Sequence, residues 1–194
     1  MVEILQKEEP VLRKFAKEVT VLKIKTSRIK KILSEMRSAL RSQSDGVAIA
    51  APQIGYSLRI FVVAGKIFRK EFMGDTPPRS DLDQSTPPHP NAEGGQASQG
   101  EKKIKDLVFI NPKISKLSRD KEWMPEGCLS VRPLYGKTNR SKKATVTAYD
   151  ENGKKFERGA SGLLAQIFQH ETDHLNGVLF IDHAKDVKAE EPAK

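Results

Sequence analysis

The 194-residue sequence lacks most features of secreted, membrane or disulfide-bonded proteins. Its single cysteine, Cys128, excludes an intrachain disulfide. No apolar run approaches the roughly 20 residues that span a bilayer. Residues 1–5 show neither a charged region followed by an apolar stretch, as in a secretory signal, nor an Arg- and Ser-rich organelle leader. These absences predict a cytoplasmic protein with no membrane partner.

Aromatic residues are also scarce, at 6%, whereas charged residues make up 30% and the formal net charge is +9. Such a charge suggests an anionic partner, with nucleic acid or the ribosome as candidates. The basic residues, however, are spread over segments 23–31, 102–105 and 140–143, without aromatic neighbours or a nucleic-acid motif. We therefore predict solvated basic surfaces, no specific nucleic-acid partner, a monomer, and at most transient ribosome association.

The periodicity of apolar residues predicts an α+β fold in one catalytic domain, residues 1–185. Residues 27–43 are typical of an amphipathic helix capped by Thr26 or Ser27, with no chemistry of its own. Residues 74–103 are polar and rich in Gly and Pro, which indicates a mobile insertion, and residues 186–194 form a polar tail. The predicted strands, with a hairpin turn at 150–153, are 58–64, 107–110 (closed by Asn111-Pro112), 114–117, 144–149 and 155–157.

The segment Gln169-His170-Glu171-Thr172-Asp173-His174 is the strongest functional signal. On a helix, His170 and His174 lie one turn apart and reach one metal ion, with Glu171 beside it as a general base. A helix capped by Ser161 and ended by Gly177 puts these three residues on its apolar stripe, where they are costly without partners. That stripe also holds Leu163, Leu164, Ile167, Phe168 and Leu175, and it leaves out Gln166, Gln169, Thr172 and Asp173.

A catalytic metal site usually has three protein ligands, so the histidine pair requires one more. A metzincin would have a third histidine where this chain has Phe180, and the downstream Glu190 and Glu191 lie in the polar tail. His183 is a further option without organised context. Cys128 is the strongest candidate because a soft thiolate binds Zn²⁺ or Fe²⁺ well, although a lone cysteine is often inert and buried.

Three segments together resemble one family. Residues 46–53 (GVAIAAPQ), residues 126–130 (EGCLS) and residues 169–174 (QHETDH) occur in the order of the three motifs of peptide deformylases. The resemblance covers about residues 1–185 apart from the insertion. It implies antiparallel β-sheets packed around a central helix that carries the HExxH motif.

The resemblance also implies an activity. Peptide deformylases are metal-dependent hydrolases that remove the N-formyl group from the N-terminal formylmethionine of newly synthesised proteins and release formate. The implied cofactor is one divalent metal ion, Fe²⁺ in vivo, which Zn²⁺ or Ni²⁺ can replace. The implied roles are metal ligation by Cys128, His170 and His174, proton transfer by Glu171, and oxyanion stabilisation by the Gln53 amide and the Leu129 N–H.

On the substrate side, we expect Val47, Ala48 and Ile167 to line an apolar pocket for the methionine side chain. Ala48 replaces the second glycine of the family motif, which alters how closely a substrate backbone can approach. Arg132 and Tyr135 stand where the family commonly has proline and arginine. The chain also stops soon after the catalytic helix, without the long basic C-terminal helix of some members.

Two other hypotheses follow from the same residues. The changes at Ala48 and Tyr135 allow another metal-dependent amidohydrolase or peptidase on the same site. The high positive charge allows a ribosome- or RNA-associated protein with a vestigial metal site, although such a site has no reason to retain both ligands and base.

Overall fold

The computed structural model describes residues 2–68 and 104–189. The insertion predicted at 74–103 and tail residues 190–194 lie outside the described residues. The elements, in chain order, are α1 (Ser27–Arg41), β1 (Ala48–Ala50), β2 (Ile60–Val63), β3 (Leu107–Leu117), β4 (Lys121–Gly127), β5 (Leu134–Ser141), β6 (Lys143–Tyr149), β7 (Lys155–Ser161), α2 (Gly162–Leu175) and β8 (Lys185–Ala189).

The strands form two antiparallel sheets. The larger sheet has the order β1-β2-β3-β6-β7, and the smaller has the order β4-β5-β8. The predicted α+β class is confirmed. Within the described ranges, neither α1 nor α2 has the length and hydropathy needed to cross a bilayer.

Helix α1 covers one face of the larger sheet. Its buried residues follow helical spacing: Ile29, Ile32, Leu33, Met36, Ala39 and Leu40. The helix ends at Arg41, two residues earlier than predicted, and the Ser42 N–H reaches back to the Ser38 carbonyl. Thr26 occupies the N-cap position, but its hydroxyl donates to the Lys23 carbonyl and makes no cap bond. Tertiary burial of one face therefore holds this helix.

Strand β2 separates two hydrophobic cores. Ile60 and Val62 pack in the core under α1, while Phe61 and Val63 pack in the core under α2. All four residues are fully buried. Because successive side chains of a strand point to opposite faces, this run of four apolar residues places the larger sheet between the two helices.

Strand β3 corrects a sequence prediction. Two strands were expected, at 107–110 and 114–117, because Asn111-Pro112 breaks the pattern. The chain instead forms one strand, with a shift of register against β6 between Ile110 and Lys113. Asn111 has a φ of 52°, and its side chain accepts a hydrogen bond from the Val19 N–H at 2.8 Å and donates to the Val19 carbonyl at 2.7 Å. A bulge thus absorbs the proline, which has no N–H to donate.

Strand β8 occupies the sequence around the predicted start of the polar tail. Its backbone pairs with β5 at Leu134, Tyr135 and Lys137, although every residue of β8 is exposed. The five side chains are exposed, but the backbone hydrogen bonds extend the smaller sheet to Ala189. Composition alone does not reveal an edge strand that buries nothing.

Candidate metal centre and active site

Helix α2 carries the HExxH segment. It follows Ser161, whose side chain makes no cap bond, and ends at Leu175. Gly177 then adopts a φ of 75°, and a Cβ built there would lie 2.7 Å from the backbone of Arg13. Glycine is needed at this turn both for the left-handed conformation and for the close approach.

Three stacked or tilted aromatic rings anchor α2 to the larger sheet. The ring centroids of Phe61 and Phe109 are 4.5 Å apart, and the Phe168 centroid lies 5.1 Å from Phe109 and 6.3 Å from Phe61. Aromatic pairs at these separations contribute about 0.5–1.5 kcal/mol each beyond the burial of area. This contact sets the position of the helix turn that precedes His170.

The predicted stripe on α2 needs correction. Leu163, placed inside it, is 42% exposed, whereas Gln169 and Thr172, placed outside it, are buried. The Gln169 side chain accepts from the Ser141 N–H and donates to the Ser141 carbonyl, and the Thr172 hydroxyl donates to the Phe168 carbonyl. Contact with both sheets buries more than one face of α2, and hydrogen bonds make buried polar side chains tolerable there.

The structure brings Cys128, His170 and His174 together. One ligand atom from each residue lies within 4.8 Å of the others, and Cys128 Sγ lies 3.1 Å from His174 Nε2. Cys128 directly follows β4, whereas the histidines come from α2. A thiolate with two imidazoles is a donor set that suits Zn²⁺ or Fe²⁺. His183, the other histidine among the described residues considered as a ligand, lies instead 3.9 Å from Asp173.

Glu126 orients His170. Its Oε1 lies 2.7 Å from His170 Nδ1, and the residue as a whole is 6% exposed. Burial acts to raise the pKa of Glu126, but hydrogen bonds from His170 and Arg140 hold it well below its usual range. An ionised carboxylate only accepts hydrogen bonds, so Nδ1 carries the proton and the Nε2 lone pair is left for a metal ion.

Arg140 links Glu126 to the end of the HExxH turn. Its Nη2 and Nε donate to the two Glu126 oxygens at 2.7 and 3.0 Å, and its Nη1 donates to Asp173 Oδ2 at 2.6 Å. The Thr138 hydroxyl adds a 2.6 Å bond to Glu126. The sequence had grouped Arg140 with solvated basic residues, which is wrong, since it is 6% exposed. Its position two residues after Thr138 on one face of β5 is a signal that alternation could have revealed.

Glu171 contributes a buried carboxylate to the same site. It is 3% exposed, and among the described residues its Oε2 has no hydrogen-bond partner. Burial raises its pKa to about 7. A buried carboxylate oxygen without a protein partner is what a site for water and a metal ion requires, so this orphan atom fits the metal suggested by the three ligands.

Gln53 reaches the same place from the short helix that follows β1. Its Oε1 accepts from the Ala50 N–H at 2.8 Å, while its Nε2 lies 3.0 Å from Ser130 Oγ and 3.6 Å from Cys128 Sγ. The carbonyl end is thus held by backbone, and the amide N–H groups point at the cysteine side of the site. This explains why an amide occurs in an otherwise apolar segment.

A cleft of about 310 Å³ opens onto these groups. Its lining includes every predicted substrate and oxyanion residue, namely Val47, Ala48, Gln53, Leu129 and Ile167, together with His170 and Glu171. Arg132 lies on its rim and donates to Asp45, another lining residue, at 2.6 Å. Tyr135 packs over Gly127, where a Cβ would overlap the tyrosine ring.

Comparison with known proteins decides the family. The model of the polypeptide deformylase family matches residues 1–190. The chain belongs to this family. Peptide deformylase 2 of Clostridium acetobutylicum is 36% identical over 175 residues, which are 90% of this chain and 89% of that protein. Peptide deformylase 1A of Arabidopsis thaliana, chloroplastic/mitochondrial, is 38% identical over 181 residues, 93% of this chain but only 60% of the relative.

Solved structures show the same fold. A peptide deformylase from Legionella pneumophila superposes with a TM-score of 0.70 at 32% identity, covering 96% of this chain and 87% of that one. The peptide deformylase from Synechococcus elongatus, solved with actinonin, gives a TM-score of 0.71 at 29% identity, covering 95% and 79%. As a deformylase, the chain is a metal-dependent hydrolase of protein biosynthesis that acts on formylated peptides, as the three sequence motifs predicted.

Proposed function

We propose that Cys128, His170 and His174 hold one divalent metal ion, and that the cleft above it binds N-terminal formylmethionine for hydrolysis to formate and a free amine. The observation that carries this proposal is the three-ligand cluster beside a buried carboxylate whose Oε2 has no hydrogen-bond partner in the described part of the chain. When bound, the ion would polarise a carbonyl and lower the pKa of water. Fe²⁺ is proposed for the cell, since the donor set also accepts Zn²⁺ or Ni²⁺ and availability decides between them.

Glu171 is the proposed proton carrier. A group with a pKa near 7 both accepts and returns a proton at neutral pH. Its carboxylate takes the proton of the attacking water and delivers it to the amine nitrogen as the C–N bond of the formamide breaks. Burial supports this role because it raises the pKa of Glu171 to about 7.

Gln53 and Leu129 are the proposed oxyanion donors. The Gln53 Nε2 that lies 3.6 Å from Cys128 Sγ can turn one N–H from the sulfur to a substrate oxygen, while Ala50 continues to hold the carbonyl end. Leu129 follows Cys128 directly and lines the cleft. Two donors held before the reaction stabilise developing charge without reorganisation.

The apolar part of the cleft is the proposed methionine pocket. Val47, Ala48 and Ile167 line it, and Ala48 and Ile167 are buried. The Cβ of Ala48 takes space that glycine would leave open, which restricts the backbone of the residue after methionine.

The organisation of the chain completes the proposal. Both sheets are arranged about α2 as the central helix of one domain, residues 1–185. The enzyme would act as a cytoplasmic monomer on nascent peptides, with transient ribosome association through its positive charge and no specific nucleic-acid partner.

Formate release tests the proposal. Anaerobically purified protein of measured metal content is incubated with formyl-Met-Ala-Ser, with acetyl-Met-Ala-Ser as the matched control. Formate from the first peptide alone supports the proposal, and reconstitution with Fe²⁺, Zn²⁺ and Ni²⁺ ranks the metals. Absence of formate from fully loaded protein rejects it. Cleavage of internal peptide bonds with the formyl group untouched would indicate a peptidase instead.

A further inference from the structure

The smaller sheet presents two different faces along β4 and β5. Glu126, Thr138 and Arg140 are buried on its inner face. The intervening residues point outward: Trp123 and Pro125 on β4, and Tyr135 and Lys137 on β5, with Pro125 opposite Lys137 and Gly127 opposite Tyr135. The alternation of side chains along a strand therefore separates the network that supports the metal site from an outward surface.

This outward surface begins in the cleft. Pro125, Gly127 and Tyr135 line the cleft and also belong to the outer face of the sheet. Next to them lie Lys137, whose side chain is 58% exposed, and Trp123, which is 44% exposed. A bound peptide that is longer than the cleft and extends past Pro125, Gly127 and Tyr135 would lie on the outer face of the sheet.

The outer face is positively charged and carries an aromatic ring. Lys185 of β8 pairs in register with Lys137, and its Nζ lies 4.7 Å from the centroid of the Trp123 ring. Lys188 pairs with Tyr135. Asp186 Oδ2 lies 3.4 Å from Lys137 Nζ and offsets part of this charge. We call the surface formed by Trp123, Lys137, Lys185 and Lys188 the basic ledge.

We propose that the basic ledge binds acidic residues of the peptide chain that follows the formylmethionine. The inference rests on the proposed function of the cleft. From Gly127 to Trp123 the strand spans four residues, about 13 Å. An extended peptide needs about four residues beyond formyl-Met-Ala to cover that distance, so a hexapeptide reaches the whole ledge and formyl-Met-Ala does not. Lysines attract the carboxylates, and the tryptophan ring packs against the peptide between them.

The test compares three formylated hexapeptides that share Met-Ala and differ in the last four residues, which contain two Asp, two Gln or two Lys. The kcat/KM should be highest for the Asp peptide, intermediate for the Gln peptide and lowest for the Lys peptide. The ratio between the highest and lowest values should be at least about threefold and should decrease in 0.5 M salt. Each value is divided by the same enzyme's rate on formyl-Met-Ala. If formyl-Met-Ala itself is not hydrolysed, the proposed function is wrong, and this result is distinct from a failure of the ledge proposal.

Two charge-reversed variants separate the ledge from net charge. Lys137→Glu with Lys185→Glu should invert the order of the hexapeptides. Lys116→Glu with Lys155→Glu changes the net charge equally on exposed positions of β3 and β7 and should keep the wild-type order. Equal normalised rates for the three hexapeptides in the wild type would overturn the proposal. So would equal effects of the two double variants, or ledge-dependent binding of a 20-nucleotide RNA without any peptide preference.

Discussion

Replacing Glu126 with Gln should weaken both the fold and the metal site, although Glu126 is not itself a proposed ligand. The variant removes a carboxylate that is 4% exposed at its side chain and leaves the guanidinium of Arg140, 8% exposed, with Asp173 alone. Breaking a buried ion pair costs about 3–5 kcal/mol, and the remaining bond to Asp173 favours the lower end. At about 2–4 °C per kcal/mol for a chain of this size, Tm should fall by roughly 6–12 °C.

Metal affinity should fall independently of stability. Without the carboxylate, His170 Nδ1 loses its charged acceptor, and loss of such an outer partner costs about 10–100-fold in affinity. Urea unfolding of chelated protein measures the first effect, and competition with a chromophoric chelator measures the second.

The control for this experiment lies on the same strand. Glu122 is 58% exposed, and its Oε2 lies 3.9 Å from Lys142 Nζ. Glu122→Gln should change stability by less than about 0.5 kcal/mol and leave metal affinity unchanged. If Glu126→Gln behaves like Glu122→Gln in both measurements, the assignment of Glu126 as the residue that orients His170 is wrong.

Three further predictions concern other parts of the site. In chelated protein, burial raises the pKa of Glu171 from 4.5 to about 7, so the wild type should lose stability relative to Glu171→Gln as pH rises through this window. The difference should reach about 3 kcal/mol above pH 8 in urea titrations, and parallel curves would contradict it. Gly127→Ala should destabilise by about 1–3 kcal/mol, because its Cβ overlaps Tyr135, and adding Tyr135→Ala should recover part of the loss. Arg132→Ala should favour peptides with Lys after methionine and Asp45→Ala those with Glu, each by a fewfold in kcat/KM, whereas the double variant should show neither bias.

The chemistry-bearing segments were predictable because their spacing carries physical information. Two histidines at i and i+4 lie on the same side only if the segment is helical, and the predicted helix extends over Gly162–Leu175. The apolar run of β2 and the stripe of α1 likewise reflect burial on defined faces. Each of these predictions depends on contacts that repeat at a fixed period along the chain.

What could not be predicted depends on partners distant in sequence. Arg140 resembles a surface residue until Glu126 and Asp173 are placed beside it. Asn111-Pro112 is a strand breaker in isolation, yet hydrogen bonds to Val19, 92 positions away, hold it inside β3. Composition and apolar periodicity take no account of such partners, so they place charged residues like Arg140 at the surface.

The two hydrogen bonds between Gln169 and Ser141 have a consequence for the geometry of the site. Strand β5 of the smaller sheet ends at Ser141 and β6 of the larger sheet starts at Lys143, so a single residue joins the sheets. At this joint the Gln169 side chain accepts a hydrogen bond from the Ser141 N–H and donates one to the Ser141 carbonyl, each at 2.9 Å. Cys128 follows a strand of the smaller sheet and the histidines lie on α2, so the geometry of this joint helps to set the distances between the three proposed metal ligands.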